Sequence, residues 1–148
     1  MKPHLTLVTL GVEDMLVSRT FYRRLGFALL EGSSDSVTFL DAGGTVLGLF
    51  GRAALAADAN VENAASGFSG VTLARNARSE AEVDALIAEA VTSGATLKKP
   101  GQKTFWGGYS GYFADPDGHL WEIAYNPFWP MDEHGRVTIP PAKETDPA

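Results

Sequence analysis

The chain has 148 residues, enough for one ordinary domain with a substantial core. Its 45% hydrophobic and 20% charged content is globular, and a formal net charge of -6 argues against nucleic acid or an anionic membrane as a partner. The absence of cysteine removes disulfides, thiolate catalysis and thiolate metal sites together. The early apolar run Leu5 to Leu10 is too short for a signal h-region or a membrane span, so a cytoplasmic protein is expected.

Taken in chain order, the elements occur twice. The tripeptide Val8-Thr9-Leu10 lies in a run with strand composition and returns as Val71-Thr72-Leu73. A helix follows each run. In the first, Asp14 is a good N-cap, and Ser18, Phe21, Tyr22 and Leu25 keep the spacing of one helical face. In the second, Ser79-Glu80-Ala81-Glu82 has the capping-box pattern, with Val83, Leu86, Ile87 and Ala90 as the inward stripe. Gly26 and Gly94 suit left-handed caps at the two helix ends. Asp41-Ala42-Gly43-Gly44 and Asp115-Pro116-Asp117-Gly118 then read as tight hairpin turns, each leading into an apolar strand. The expected fold is therefore α+β, with two tandem βαβββ modules at about 4–51 and 67–126, a linker at 52–66 and a tail at 127–148.

Strand parity sorts the residues into two faces. Val8, Leu10, Leu47, Leu49, Val71, Leu73, Trp121 and Ile123 share one parity and should lie beneath the helices. The opposite parity includes Leu5, Leu7, Thr9, Val46, Gly48, Phe50, Phe68, Gly70, Thr72, Leu120, Glu122 and Ala124. That set is also mostly apolar and small. A face turned to water would be polar, so it should line a cavity or an interface, with Gly48 and Gly70 leaving room for a ligand.

Two stretches resemble a known family. Leu7-Val8-Thr9-Leu10-Gly11-Val12-Glu13-Asp14, continued by Ser18-Arg19-Thr20-Phe21-Tyr22 and Leu25-Gly26-Phe27, is similar to the opening of vicinal oxygen chelate proteins. Gly111 to Ile123, around Asp115-Pro116-Asp117-Gly118, resembles the closing strand of that superfamily, which includes glyoxalases, bleomycin-resistance proteins and extradiol dioxygenases. The resemblance implies an open, curved sheet around a cleft with helices on its outer face, and a homodimer, since many members are dimers.

It also implies where a metal would sit. Metal-dependent members use His and Glu on the cleft face, and the matching positions here are Leu7, Gly48, Gly70 and Glu122. Only Glu122 is a ligand type, and one carboxylate does not hold a divalent ion tightly. His119 and His4 have the wrong strand parity, and His134 lies in the tail. No metal of the family kind and no other cofactor is expected, although a divalent ion held by unexpected ligands stays open.

Glu122 admits two readings: a desolvated carboxylate suited to proton transfer or to a cationic ligand, or a buried carboxylate satisfied by a neighbouring donor. Among the aromatics, Trp121 and Tyr125 read as core, whereas Trp106 and Tyr109 flank a Gly-rich loop that could close over a ligand. The ligand-binding set is therefore Leu7, Thr9, Gly48, Phe50, Phe68, Gly70, Trp106, Tyr109 and Glu122, with Glu122 the one catalytic candidate. Three functions compete: metal-free binding of a small organic molecule, a glyoxalase-like lyase or dioxygenase-type enzyme, and a module that uses the cleft as a protein interface.

Overall fold

A computed structural model describes residues 2–3, 5–64, 67–139 and 141, so His4, the end of the linker and the last tail residues lie outside it. The first module runs β1 (Leu7–Val12), α1 (Met15–Arg24), β2 (Ala28–Leu29), β3 (Val37–Asp41) and β4 (Val46–Gly51). A short helix, α2 (Arg52–Asp58), follows it. The second module repeats the order with β5 (Thr72–Asn76), α3 (Glu80–Ser93), β6 (Thr96–Lys103), β7 (Tyr109–Ala114) and β8 (Leu120–Tyr125). Each module builds an open four-stranded mixed sheet, in the orders β1-β4-β3-β2 and β5-β8-β7-β6. In each, the first and last strands of the module pair in parallel.

The expected local signals operate. Asp14 accepts the Val17 N–H at 3.0 Å, and Gly26 follows α1 with a φ of 93°. Ser79 accepts the Glu82 N–H at 3.1 Å at the start of α3. The Glu82 carboxylate reaches back one residue further than a standard capping box, to the Arg78 N–H. α3 ends at Gly94, whose left-handed φ of 119° lets the cap N–H groups bond back into the last turn. Composition marks residues 52–66 as linker, but seven of them form α2, where Ala53, Ala54, Ala56 and Ala57 favour helix.

Register confirms the two faces. Val8 pairs with Leu47, Leu10 with Leu49 and Leu73 with Trp121 on the helix side. Val71 is a correction: β5 starts one residue later, and Val71 stands 57% exposed ahead of it.

The core joins the modules. Phe21 and Tyr22 of α1 are fully buried and meet Phe113 and Trp121 of the second sheet, with ring centroids 6.4 and 6.2 Å apart. Burial of one such ring contributes about 1.5–3 kcal/mol. Polar contacts fix the geometry. The Tyr22 hydroxyl donates to Asp115 Oδ2 at 2.6 Å and accepts from Trp121 Nε1 at 3.2 Å. Burial, reinforced by the Asp115 carboxylate, pushes the Tyr22 pKa far above the ordinary range, so this hydroxyl keeps its proton. Burial also raises Asp115, partly offset by the Tyr22 hydroxyl it accepts and by His119 nearby.

The tail docks on the modules. An isolated bridge pairs Met131 with Val137, and Arg78 donates to the Asp132 carbonyl at 2.7 Å. Gly135 and Val137 thereby border a groove of about 400 Å³ shared with Val8, Leu73 and Trp121.

Removing the Tyr22 hydroxyl leaves Asp115 Oδ2 and Trp121 Nε1 each without its partner. Tyr22→Phe should therefore cost about 2 kcal/mol in urea denaturation. A loss within the ordinary scatter of surface substitutions, below about 0.5 kcal/mol, would show that the network is not what joins the modules.

Candidate functional site

A cavity of about 730 Å³ lies on the face of the second sheet that α3 leaves free. Register puts Tyr112 beside Glu122, Glu122 beside Ala74, and Leu120 beside Thr72 on that face. Gly111, on the other face, packs against α3, where an added Cβ would come within 2.6 Å of Ile87 Cδ1. Tyr112 and Leu120 line it from the sheet, together with Phe68 and Val71, Lys98 and Lys99 of β6, and Gly11, Arg52 and His119.

The turn between β7 and β8 positions His119 in the lining. Asp115 Oδ1 accepts the N–H groups of Asp117 and His119 at 3.0 and 2.8 Å, while Gly118 takes a φ of 89°. The turn then reaches the first module. Asp117 accepts the Glu13 N–H at 2.8 Å and the Ser18 hydroxyl at 2.6 Å. His119 Nε2 lies 2.8 Å from the Gly11 carbonyl oxygen, which can only accept, so Nε2 carries the hydrogen. His119 was expected on the strand face opposite Glu122; it sits just before β8 and walls the cavity.

Of the residues expected to bind ligand, Phe68 borders this cavity. Leu7, Thr9, Gly48 and Phe50 lie on the corresponding face of the first sheet, away from its walls. Gly48 leaves less room than its missing side chain suggests, since a Cβ there would stand 3.1 Å from Thr9 Oγ1. Gly70 precedes β5, with a φ of 80°, so Ala74 rather than Gly70 stands abreast of Glu122. Trp106 folds over its own loop, leaving no space at Gly108, where a Cβ would meet the indole at 1.9 Å.

Tyr109 is a further correction. It shares the helix-side face with Gly111 and Phe113, and its hydroxyl donates to Asp84 of α3 at 3.0 Å. The aromatic side chain that faces the cavity from β7 is Tyr112. Strand alternation carries that signal, because Tyr112 is three residues from Tyr109 and so on the opposite face. Arg52 was missed because its position depends on α2, which was read as linker.

Glu122 itself is partly buried and opposes Tyr112 across the β7–β8 ladder. Burial, then the nearby Glu122 carboxylate, holds the Tyr112 hydroxyl above the ordinary tyrosine value. Among the described residues, no group of three or more His, Asp or Glu stands together to hold a metal ion. The positions expected to carry ligands, Leu7, Gly48, Gly70 and Glu122, offer one carboxylate, and by register Thr72 rather than Gly70 is the counterpart of Leu7, adding one neutral hydroxyl. That donor set does not fit a divalent cation.

Comparison with known proteins gives the family. Residues 4–123 match the family model of the Glyoxalase/Bleomycin resistance protein/Dioxygenase superfamily. The crystal structure of a glyoxalase-related enzyme from Fulvimarina pelagi is 36% identical, with a TM-score of 0.81, covering 92% of this chain and 97% of that one. A glyoxalase/bleomycin resistance protein/dioxygenase family enzyme from Burkholderia phytofirmans PsJN shares the fold at 23% identity and a TM-score of 0.75, covering 83% and 98% of the two chains. Lactoylglutathione lyase from Agrobacterium tumefaciens does so at 22% identity and a TM-score of 0.65, covering 87% and 98%. No curated protein matches.

The Tyr112–Glu122 pairing is open to titration. Neutralising the carboxylate in Glu122→Gln removes a negative charge that opposes tyrosinate formation, so the Tyr112 titration should move down towards the ordinary value. Carbon-13 NMR of the tyrosine ring carbons follows it directly. An unchanged Tyr112 titration would mean that the two side chains do not interact.

Proposed function

The chain belongs to the Glyoxalase/Bleomycin resistance protein/Dioxygenase superfamily, and on that premise we propose that it binds a small organic molecule in the cavity beside Tyr112, without a metal. One observation carries this reading. The free face of the second sheet supports a cavity of about 730 Å³, a size suited to a small ligand, with apolar Phe68, Val71 and Leu120 among its walls. The donor set at the family's ligand positions supports the absence of a metal. In this reading Glu122 supports and polarises Tyr112, rather than coordinating an ion.

A second reading, a lyase or dioxygenase-type enzyme, draws on the Tyr112–Glu122 pair and on the relative from Fulvimarina pelagi, described as a glyoxalase-related enzyme. There, Glu122 would move a proton to or from the substrate, with Tyr112 beside it as a donor. The exposed apolar residues Leu7, Phe68 and Val71 support a homodimer in which a second copy covers part of these sheet faces. No helix among the described residues is long and apolar enough to cross a membrane, and we assign the protein to the cytoplasm.

A panel of aromatic and antibiotic-like compounds, screened by thermal shift and followed by amide chemical-shift mapping, tests the binding reading. Ligands should raise the melting temperature and perturb residues 68–71, 112 and 120, and the change should survive a chelator. The reading fails if no compound binds, or if perturbations cluster away from the cavity. Turnover abolished by Glu122→Ala would instead favour the enzyme.

A further inference from the structure

Resting on that binding reading, we propose that the cavity selects an anionic, partly apolar molecule, such as an aryl or acyl compound bearing a carboxylate, sulfonate or phosphate. Its walls combine three cationic side chains, Arg52, Lys98 and Lys99, with apolar Phe68, Val71 and Leu120. The chain as a whole is acidic, with 18 Asp and Glu against 12 Lys and Arg, so general surface charge does not supply this cluster. Among the described residues, the ion pairs are Lys103–Glu80, His134–Glu133 and Arg136–Asp132. None of the three cavity cations is in them.

Two carboxylates, Asp117 and Glu13, also line the walls, against the three cations. Asp117 spends one oxygen on the Glu13 N–H and the other on the Ser18 hydroxyl. Glu13 is exposed at the rim and is held there through its own backbone. Ser69, His119 and Tyr112 complete the polar lining. Tyr112 offers a hydroxyl that stays protonated beyond the ordinary tyrosine range, because burial and Glu122 oppose its ionisation.

Two backbone features bring the cations together. Consecutive residues of a regular strand point to opposite faces, yet Lys98 and Lys99 both border the cavity. The β6–β7 register shifts between Leu97 and Lys99, an irregularity of the kind that re-aims side chains. Arg52 lies across the end of β1 because Gly11 has no side chain, where a Cβ would stand 3.3 Å from the Arg52 Cα and Cγ. A guanidinium with two ammonium groups beside an apolar wall matches an anion with a hydrocarbon body. Arg adds paired donors in the geometry of a carboxylate or phosphate.

The test uses 2-naphthoate and its uncharged analogue 2-naphthamide, titrated into the full chain and followed by amide chemical shifts. The naphthoate should bind at the cavity with at least about tenfold higher affinity than the amide, the scale of one charge-assisted hydrogen bond. The preference should shrink with added salt and disappear in Arg52→Gln/Lys99→Gln. The neutral analogue makes the comparison on the unmodified protein, so it does not depend on that variant folding. Equal binding of the two compounds at the cavity would overturn the anion preference and leave the binding reading standing. If neither binds, or both bind elsewhere, the two readings fall together.

Discussion

The turn at Asp115 to Gly118 docks on the first helix, and the rest of the arrangement follows from that contact. Asp115 takes the Tyr22 hydroxyl, Asp117 takes the Glu13 N–H and the Ser18 hydroxyl, and His119 bonds the Gly11 carbonyl. Each side chain that reaches across is also tied to the turn, since Asp115 accepts the N–H groups of Asp117 and His119. A shift of the turn would therefore break several buried or half-buried hydrogen bonds together. The hydrophobic contacts Phe21–Phe113 and Tyr22–Trp121 supply the bulk attraction, but they are non-directional. The hydrogen bonds set how the modules face each other. They also place Gly11 and His119, and so one side of the cavity.

Much of this was legible in the residues. Repetition of cap, stripe and turn in the same order revealed both modules, because each signal has its own local cause: an N-cap acceptor, an apolar helical face, a glycine with positive φ. Alternation then separated the sheet faces correctly for Leu10, Leu49, Leu73 and Ile123. It failed where the strand boundary was wrong. Gly70 and Val71 were counted into β5 from a tripeptide match, but β5 begins at Thr72, and the residue beside Glu122 is Ala74. Tyr109 was read from its loop rather than from its strand, and the parity of β7 turns it to Asp84 while Tyr112 takes the free face. The cationic walls were least legible. Arg52 depends on an unanticipated helix, and Lys98 with Lys99 depends on a register shift that no alternation rule contains.

The superfamily scaffold keeps its geometry here while, of its ligand positions, only Glu122 carries a ligand-type side chain. Leu7 and Gly48 offer no donor, Thr72 adds only a neutral hydroxyl, and Thr9 fills part of the space that Gly48 leaves. What remains on the second sheet is Tyr112, backed by Glu122 and facing a cavity whose charged walls carry three cations and two carboxylates. In the proposed reading, such a site recognises its ligand by charge and shape rather than by coordination. Fold membership fixes the frame of the site, and the side chains on it decide the chemistry.

The most direct measurement is elemental analysis of the purified protein after saturation with nickel, zinc, manganese and iron and removal of unbound ions, paired with its melting temperature. A cavity built without a metal predicts far less than one ion per chain and an unchanged melting temperature. One retained ion per chain, a raised melting temperature and loss of both in Glu122→Ala would contradict it.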